Sequence, residues 1–137
     1  QEKMTDLSQL NYLAIFVAAV STFLLGSIWY APFLFGKAWM SANNFTEDDL
    51  KGGMVKVLGS ALVLEIVMAF NLAAFIGNEA DVTFGAFAGF AAGFGWVALG
   101  LGVTYLFDRK SFKHWAIDAG YHTVAFTMMG AILGVWH

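Results

Sequence analysis

Four long apolar segments make up most of this chain. They are residues 10–30, 57–77, 82–107 and 115–136. Only Glu65, Asp118 and His122 place a carboxylate or an imidazole within them. A helix needs about 20 apolar residues to cross the hydrocarbon core of a bilayer, and each segment is long enough. We therefore predict an all-α membrane protein with four transmembrane helices in a compact bundle, formed by a single domain over residues 1–137.

The composition agrees with a chain that is surrounded by lipid. Hydrophobic residues make up 59% of the chain and charged residues 12%, whereas a typical soluble domain has about 25% charged residues. The chain has no cysteine, which excludes disulfides and thiolate-based metal or redox sites. A net charge of −3 without a basic stripe argues against a nucleic-acid partner. The expected surroundings are the lipid bilayer.

The positions of the basic residues predict the orientation of the helices. Six of the seven lysines and arginines fall in two segments, residues 31–56 and 108–114. Because cytoplasmic loops carry an excess of lysine and arginine, both segments are expected on the cytoplasmic side. An even number of spans then places both termini outside.

An aromatic segment follows the first predicted helix. Its characteristic residues are Trp29, Tyr30, Pro32, Phe35, Gly36, Lys37 and Trp39. Tryptophan and tyrosine are enriched at membrane–water interfaces, and a proline disfavours helical geometry at the residue before it. We predict that this segment ends the first helix and lies in the interface. Tyr105 and Trp115 are expected to be further interfacial anchors.

Glycines recur at intervals of four on the third and fourth segments. They are Gly85, Gly89, Gly93, Gly130 and Gly134. Four-residue spacing keeps them on one face of a helix, where a second helix can approach closely. Two interpretations stay open. The glycine faces pack inside one four-helix bundle, or one of them forms a homo-oligomer interface.

Polar residues inside the predicted helices are the candidates for a functional site, because an unpaired ionisable group in hydrocarbon is costly. Glu65 and His122 are expected at similar depth, and Asp118 shares a helix face with His122. Tyr121 and Asn71 complete the candidate set. Glu65 is either a protonated, hydrogen-bonded structural carboxyl or a proton- or cation-binding group. His122 is either a hydrogen-bonded helix-pairing residue or a ligand or proton relay.

Metal and cofactor binding are not expected. The three histidines are scattered, without the glutamate–histidine spacing of helical metal sites. His114 is expected to lie in the interface or in solvent. No recognisable motif supplies a nucleophile, so the sequence favours a protein that is not an enzyme.

Several runs of residues resemble a known family. Residues 29–39 carry the pattern Trp-Tyr-x-Pro-x-x-Phe-Gly-Lys-x-Trp, and residues 11–15, 118–122 and 129–136 extend the similarity over nearly the whole chain. These runs are similar to the bacterial family called domain of unknown function 1761. The resemblance implies a small four-helix protein of the bacterial inner membrane. It implies no catalytic residue, and Glu65 is not part of the pattern.

Three functional hypotheses follow. The first is a membrane protein that acts by helix–helix association, as a homo-oligomer or as an accessory subunit of another membrane protein. The second is a small proton- or cation-coupled transporter or channel that uses Glu65 with His122. The third is a lipid-modifying enzyme with Asp118 and His122 as an acid–base pair, which is disfavoured because no nucleophile accompanies them.

Overall fold

The chain folds into helices. The computed structural model describes residue 8 and residues 10–136, and the regular structure in this part of the chain is entirely helical. In chain order the elements are α1 (Tyr12–Trp29), α2 (Gly36–Asn43), α3 (Glu47–Lys51), α4 (Met54–Ile76), α5 (Val82–Ala92), a π-helical segment (Gly93–Ala98), α6 (Leu99–Phe107) and α7 (Phe112–Val135). The all-α prediction is confirmed.

Three helices are long and apolar enough to cross a membrane: Tyr12–Trp29, Met54–Ile76 and Val82–Phe107. The third comprises α5, the π-helical segment and α6, and it coincides with the predicted segment 82–107. The chain is therefore suited to a multi-pass membrane protein. Helix α7 is also long, at 24 residues, but it is less apolar than these three helices and is not among the candidate spans. The reason is its polar content, which includes Asp118 and His122.

Side chains cap the N-terminal ends of α1, α5 and α7. The Asn11 side chain accepts a hydrogen bond from the Ala14 backbone N–H at 3.0 Å, which starts α1. Asp81 in the same way caps α5, and Ser111 caps α7. Such side chains satisfy N–H groups that the first turn of a helix leaves without partners. At the end of α4, Gly77 adopts a φ of 85°, a conformation that favours glycine.

Helix α7 is the centre of the bundle. It packs against α1, α2, α4, α5, the π-helical segment and α6. Eleven of its residues are buried, more than in any other helix of the described chain. Met129 on α7 is completely buried. Because the other helices surround it, α7 can carry polar side chains that would be costly on a helix facing lipid.

The glycine faces meet each other within one chain. A Cβ built on Gly89 would fall inside contact distance of the Phe126 carbonyl, and one built on Gly130 would do the same with the Gly85 carbonyl. Gly93 and Gly134 are confined in the same way, by the backbone of His122 and of Asp81. The glycines therefore let α5 and α7 approach backbone to backbone. This geometry leaves them covered and not open to a second copy.

Large apolar side chains cover the outside of the bundle. Val55, Phe75 and Phe107 are among many that are exposed, whereas the buried core contains mostly alanine, leucine and isoleucine. A soluble monomer rarely presents continuous apolar patches of this extent. The distribution is the one expected of helices whose outer faces contact lipid.

Candidate functional site

Two polar clusters lie on α7, about one turn apart. We call the first the glutamate pair, which consists of Glu65 and Tyr121. We call the second the aspartate cluster, which consists of Asp118, Tyr30, Tyr105 and His114. Each cluster joins α7 to other helices, because Glu65 is on α4, Tyr30 is at the end of α1 and Tyr105 is on α6.

The glutamate pair lies in the middle of the bundle. Glu65 is the central residue of α4, roughly 17 Å from either end at the helical rise of about 1.5 Å per residue. The Tyr121 hydroxyl lies 2.5 Å from Glu65 Oε2 and 2.9 Å from the carbonyl oxygen of Thr22 on α1. Tyr121 itself is buried. One phenol thus connects α1, α4 and α7.

The protonation state of Glu65 determines how many hydrogen bonds the Tyr121 hydroxyl can form. A phenol has one hydrogen to donate, and the Thr22 carbonyl oxygen can only accept. Both contacts are hydrogen bonds in a single arrangement: Tyr121 donates to Thr22, and a neutral Glu65 donates its own proton to Tyr121. If Glu65 is ionised, Tyr121 turns to the carboxylate and its bond to Thr22 is lost. A neutral Glu65 thus accounts for both contacts, whereas an ionised Glu65 accounts for one of them.

Two buried polar atoms next to this pair have no partner in the structure. They are Glu65 Oε1 and His122 Nδ1. Glu65 and His122 form no ion pair within 4.0 Å, and the Glu65 carboxyl bonds to Tyr121 instead. The reason is the helical step: Tyr121 points to α4, and the adjacent His122 turns away by about 100°. The rings of Tyr121 and His122 remain in contact, with centroids 5.0 Å apart.

The other polar residues of the middle region do not join the pair through their side chains. Asn71 is exposed. The hydroxyl of Thr22 donates to the carbonyl of Ala19 within its own helix, and Thr123 donates to Ala119. Thr22 contributes its backbone carbonyl alone.

The aspartate cluster is a carboxyl group in contact with two tyrosine donors and one histidine. Tyr30 donates to Asp118 Oδ1 at 2.6 Å, and Tyr105 donates to Oδ2 at 2.7 Å. His114 Nε2 lies 3.1 Å from the same Oδ2, one helical turn before Asp118 on α7. Asp118 is only 9% exposed. The side chains of Tyr30, Tyr105 and His114 surround it.

His114 is the residue that the sequence most misplaced. It was expected in the interface or in solvent, yet it is 4% exposed. Its ring packs on Tyr105, with centroids 5.0 Å apart, and its Nε2 lies 3.3 Å from Asn43 Nδ2 at the end of α2. The spacing of four between His114 and Asp118 was the available signal, because such pairs meet on one helix face.

The aromatic segment after α1 covers the aspartate cluster. The Trp29 indole donates to the Ile117 carbonyl at 2.9 Å, and its ring packs on Phe35 at 4.8 Å. Tyr30 packs edge-on against Trp39 at 5.5 Å. At Gly36 a Cβ would collide with the backbone of Tyr30, so the turn into α2 closes only with glycine.

The predicted interfacial aromatic residues also form hydrogen bonds within the protein. Trp29 and Tyr30 were expected to face the membrane surface, but both donate hydrogen bonds to α7. Tyr105 and Trp115 behave in the same way, since Trp115 donates to the Ala98 carbonyl at 2.8 Å. Buried tyrosine and tryptophan usually find a partner for their polar group. Pro32 and Lys37 remain exposed.

The two clusters are in contact through aromatic rings. The Tyr30 ring lies against the Tyr121 ring, with centroids 5.7 Å apart. Tyr30 holds Asp118 and Tyr121 holds Glu65, so the two carboxyl groups are joined through two packed phenols. In the described part of the chain, no group of three or more histidine, cysteine, aspartate or glutamate side chains is placed to hold a metal ion.

Comparison with known proteins gives one match. The family model described as "Protein of unknown function (DUF1761)" matches residues 13–134, which is most of the chain. No curated protein and no solved structure matches. The match includes both carboxyl groups and all three tyrosines of the two clusters. The chain therefore belongs to the DUF1761 family.

Proposed function

We propose that this protein is a four-span protein of the bacterial inner membrane that couples proton binding at Glu65 to transport or conduction. The observation that carries the proposal is the position of the Tyr121 hydroxyl between Glu65 and the Thr22 carbonyl, 2.5 Å and 2.9 Å from their oxygens. A proton on Glu65 completes both hydrogen bonds, and its departure breaks one of them.

The fourth span of this proposal is α7. Its 24 residues would cross a bilayer, since a helix rises about 1.5 Å per residue and the hydrocarbon core is about 30 Å thick. Its polar residues are sheltered by α1, α4 and α5. Transmembrane helices with ionisable residues usually turn them to the bundle interior. The low hydropathy of α7 is thus compatible with a central span.

Protonation chemistry is favoured at Glu65 for two further reasons. Low-dielectric surroundings disfavour the charged carboxylate, so a proton is the simplest partner for it. The second carboxyl oxygen, Oε1, is buried and has no hydrogen-bond partner, so no contact stabilises a negative charge on it. In this mechanism, release of the proton leaves a carboxylate, and Tyr121 then turns from Thr22 to stabilise it.

The proton state of Glu65 is tested by infrared spectroscopy of the reconstituted protein. We expect a carboxylic-acid C=O stretching band at neutral pH that disappears in Glu65→Gln. Glu79→Gln is the matched control, because Glu79 lies in the exposed loop after α4. A band that survives in Glu65→Gln would show that Glu65 is not the protonated group.

Coupling is tested by proton flux into liposomes that contain a pH-sensitive dye and carry a potassium diffusion potential. The wild type and Glu79→Gln should dissipate the potential through proton entry. Glu65→Gln should fall to the level of protein-free liposomes, and Tyr121→Phe should be slower than the wild type. Wild-type flux no higher than that of empty liposomes would refute the transport function, even if Glu65 is protonated.

Association with a second copy or with another membrane protein is the second candidate function. It is favoured by the first two turns of α4, residues 54–60, which are exposed throughout. A Cβ on Gly59 would have no neighbour within 4 Å, so a foreign helix could approach closely there. Light scattering of the purified protein, compared with Gly59→Leu, distinguishes a dimer that uses this face from a monomer.

The proposed orientation places residues 31–56 and 108–114 in the cytoplasm. The chain has no cysteine, so a single introduced cysteine gives no background in a labelling experiment. A cysteine at Asn78 should react with an impermeant maleimide from outside, and one at Arg109 should not. The reverse pattern would invert the topology.

A further inference from the structure

A cleft lies at the junction of α6 and α7, and Tyr105 is the one residue that it shares with the aspartate cluster. It has a volume of about 280 Å³ and is lined by Tyr105, Leu106, Lys110, Ser111, Phe112 and Trp115. It begins in the last turns of the candidate span Val82–Phe107 and extends past its end. In a membrane the cleft therefore starts among acyl chains and opens at the headgroup level.

The polar groups that the cleft offers are donors and a cation. Lys110 places its ammonium group 5.8 Å from the centroid of the Tyr105 ring. The Ser111 oxygen accepts from the His114 N–H, which leaves its own hydrogen to donate. The Tyr105 hydroxyl and the Trp115 indole are already bound, to Asp118 and to the Ala98 carbonyl. The groups that remain available are the Lys110 ammonium group and the Ser111 hydroxyl, and both can bind an anion.

The remaining walls of the cleft are apolar. Leu106 and Phe112 are largely exposed, and the Trp115 indole forms an inner wall. Gly102 makes room for that indole, because a Cβ there would lie 3.2 Å from its nitrogen. An occupant with an acyl chain would cover these walls and remove apolar surface from the interface.

We propose that this cleft binds one anionic phospholipid, with the headgroup phosphate at Lys110 and Ser111 and an acyl chain along Leu106 and Trp115. The basic residues around the cleft favour a lipid with a negatively charged headgroup. Arg109 and Lys110 lie in the exposed connection after α6, and Lys113 lies exposed in the first turn of α7, against the single acidic side chain of Asp108. The site is independent of proton binding at Glu65.

The experiment uses the full chain in nanodiscs of phosphatidylcholine with a minor fraction of phosphatidylglycerol, in which one lipid at a time carries brominated acyl chains. Bromine quenches tryptophan at short range, and the signal of Trp115 is the difference between the wild type and Trp115→Phe. Brominated phosphatidylglycerol should quench this signal more than the same fraction of brominated phosphatidylcholine. If Trp115→Phe does not fold, native mass spectrometry of retained lipids measures the same preference.

Substitutions of Lys110 test whether the lipid preference depends on this side chain. Lys110→Gln should reduce the preference for phosphatidylglycerol about fivefold, the effect of one cationic side chain near an anionic surface. Lys110→Arg should keep it. Lys56→Gln is the matched control, an exposed lysine at the start of α4 and outside the cleft. Equal quenching by the two lipids, or an equal loss in Lys56→Gln, would overturn the proposal. Displacement by inorganic phosphate would also overturn it, since the occupant would then be free phosphate.

Discussion

Substitution of Gly89 by alanine tests the central contact of the bundle. A Cβ at Gly89 would lie 2.8 Å from the carbonyl carbon of Phe126 and 3.2 Å from the Cα of Thr127. Both atoms belong to the backbone of α7, which cannot turn away as a flexible side chain would. Since carbon atoms pack about 3.5–4.0 Å apart, α5 and α7 must separate by roughly 0.7 Å or more.

The expected cost follows from that separation. A gap of about 0.5–1 Å forfeits a quarter to a half of the dispersion energy of each facing atom pair. We expect about 3 kcal/mol, the upper end of the range for an overpacked core. Replacing glycine by alanine in a helix returns about 1 kcal/mol. The net loss of unfolding free energy should therefore be about 2 kcal/mol, given these opposing effects.

Gly100 provides a matched control on the same long helix. A Cβ at this position has no atom within 4 Å, so only the gain in helix propensity applies. Gly100→Ala should be up to about 1 kcal/mol more stable than the wild type. Unfolding in detergent micelles by titration with sodium dodecyl sulfate, followed by circular dichroism, measures both variants. Equal stability of Gly89→Ala and Gly100→Ala would refute the close packing of α5 on α7. A changed oligomer mass at unchanged stability would place the glycine face between copies.

Three further substitutions follow from the hydrogen bonds of the structure, each measured as unfolding free energy in the same assay. Asp118→Asn should cost about 3 kcal/mol because it disrupts a buried network in which Tyr30 and Tyr105 donate to the carboxyl group. A loss within about 0.5 kcal/mol would exclude such a network, since ordinary surface changes are about that small. Trp29→Phe should cost about 1 kcal/mol through the lost bond to the Ile117 carbonyl, and an unchanged value would show that the indole faces the interface. Ser111→Ala should cost about 1 kcal/mol as a lost helix cap, whereas the exposed Ser60→Ala should not, and equal effects would contradict the capping role.

The apolar length of the segments could be read without the structure. Their bounds differ from the observed helices by at most three residues, and the third coincides with Val82–Phe107. The reason is that a span needs a minimum number of consecutive apolar residues, which is a local property of the chain. For the same reason the hydropathy of α7 is ambiguous. Its polar residues become acceptable only through the helices around it.

The sequence predicted only some of the residues in the two polar clusters. Glu65, Tyr121 and Asp118 were candidates because ionisable and polar groups are costly in hydrocarbon. Their partners were not. Tyr30 comes from 88 residues away from Asp118, and Tyr121 lies 56 residues from Glu65. No local pattern relates residues so far apart, because helix packing and rotation decide which side chains meet.

The sequence by itself determined that the chain is helical and has apolar segments long enough for a membrane. It also determined that only a few polar residues within those segments are candidates for a functional site. Only the tertiary structure decided that Tyr121, and not His122, faces Glu65, and that His114 is enclosed with Asp118. It also decided that the glycines of α5 meet those of α7 inside one chain. The physical reason is that apolar content and spacing act along one helix, whereas contacts between helices depend on how their faces are turned toward each other.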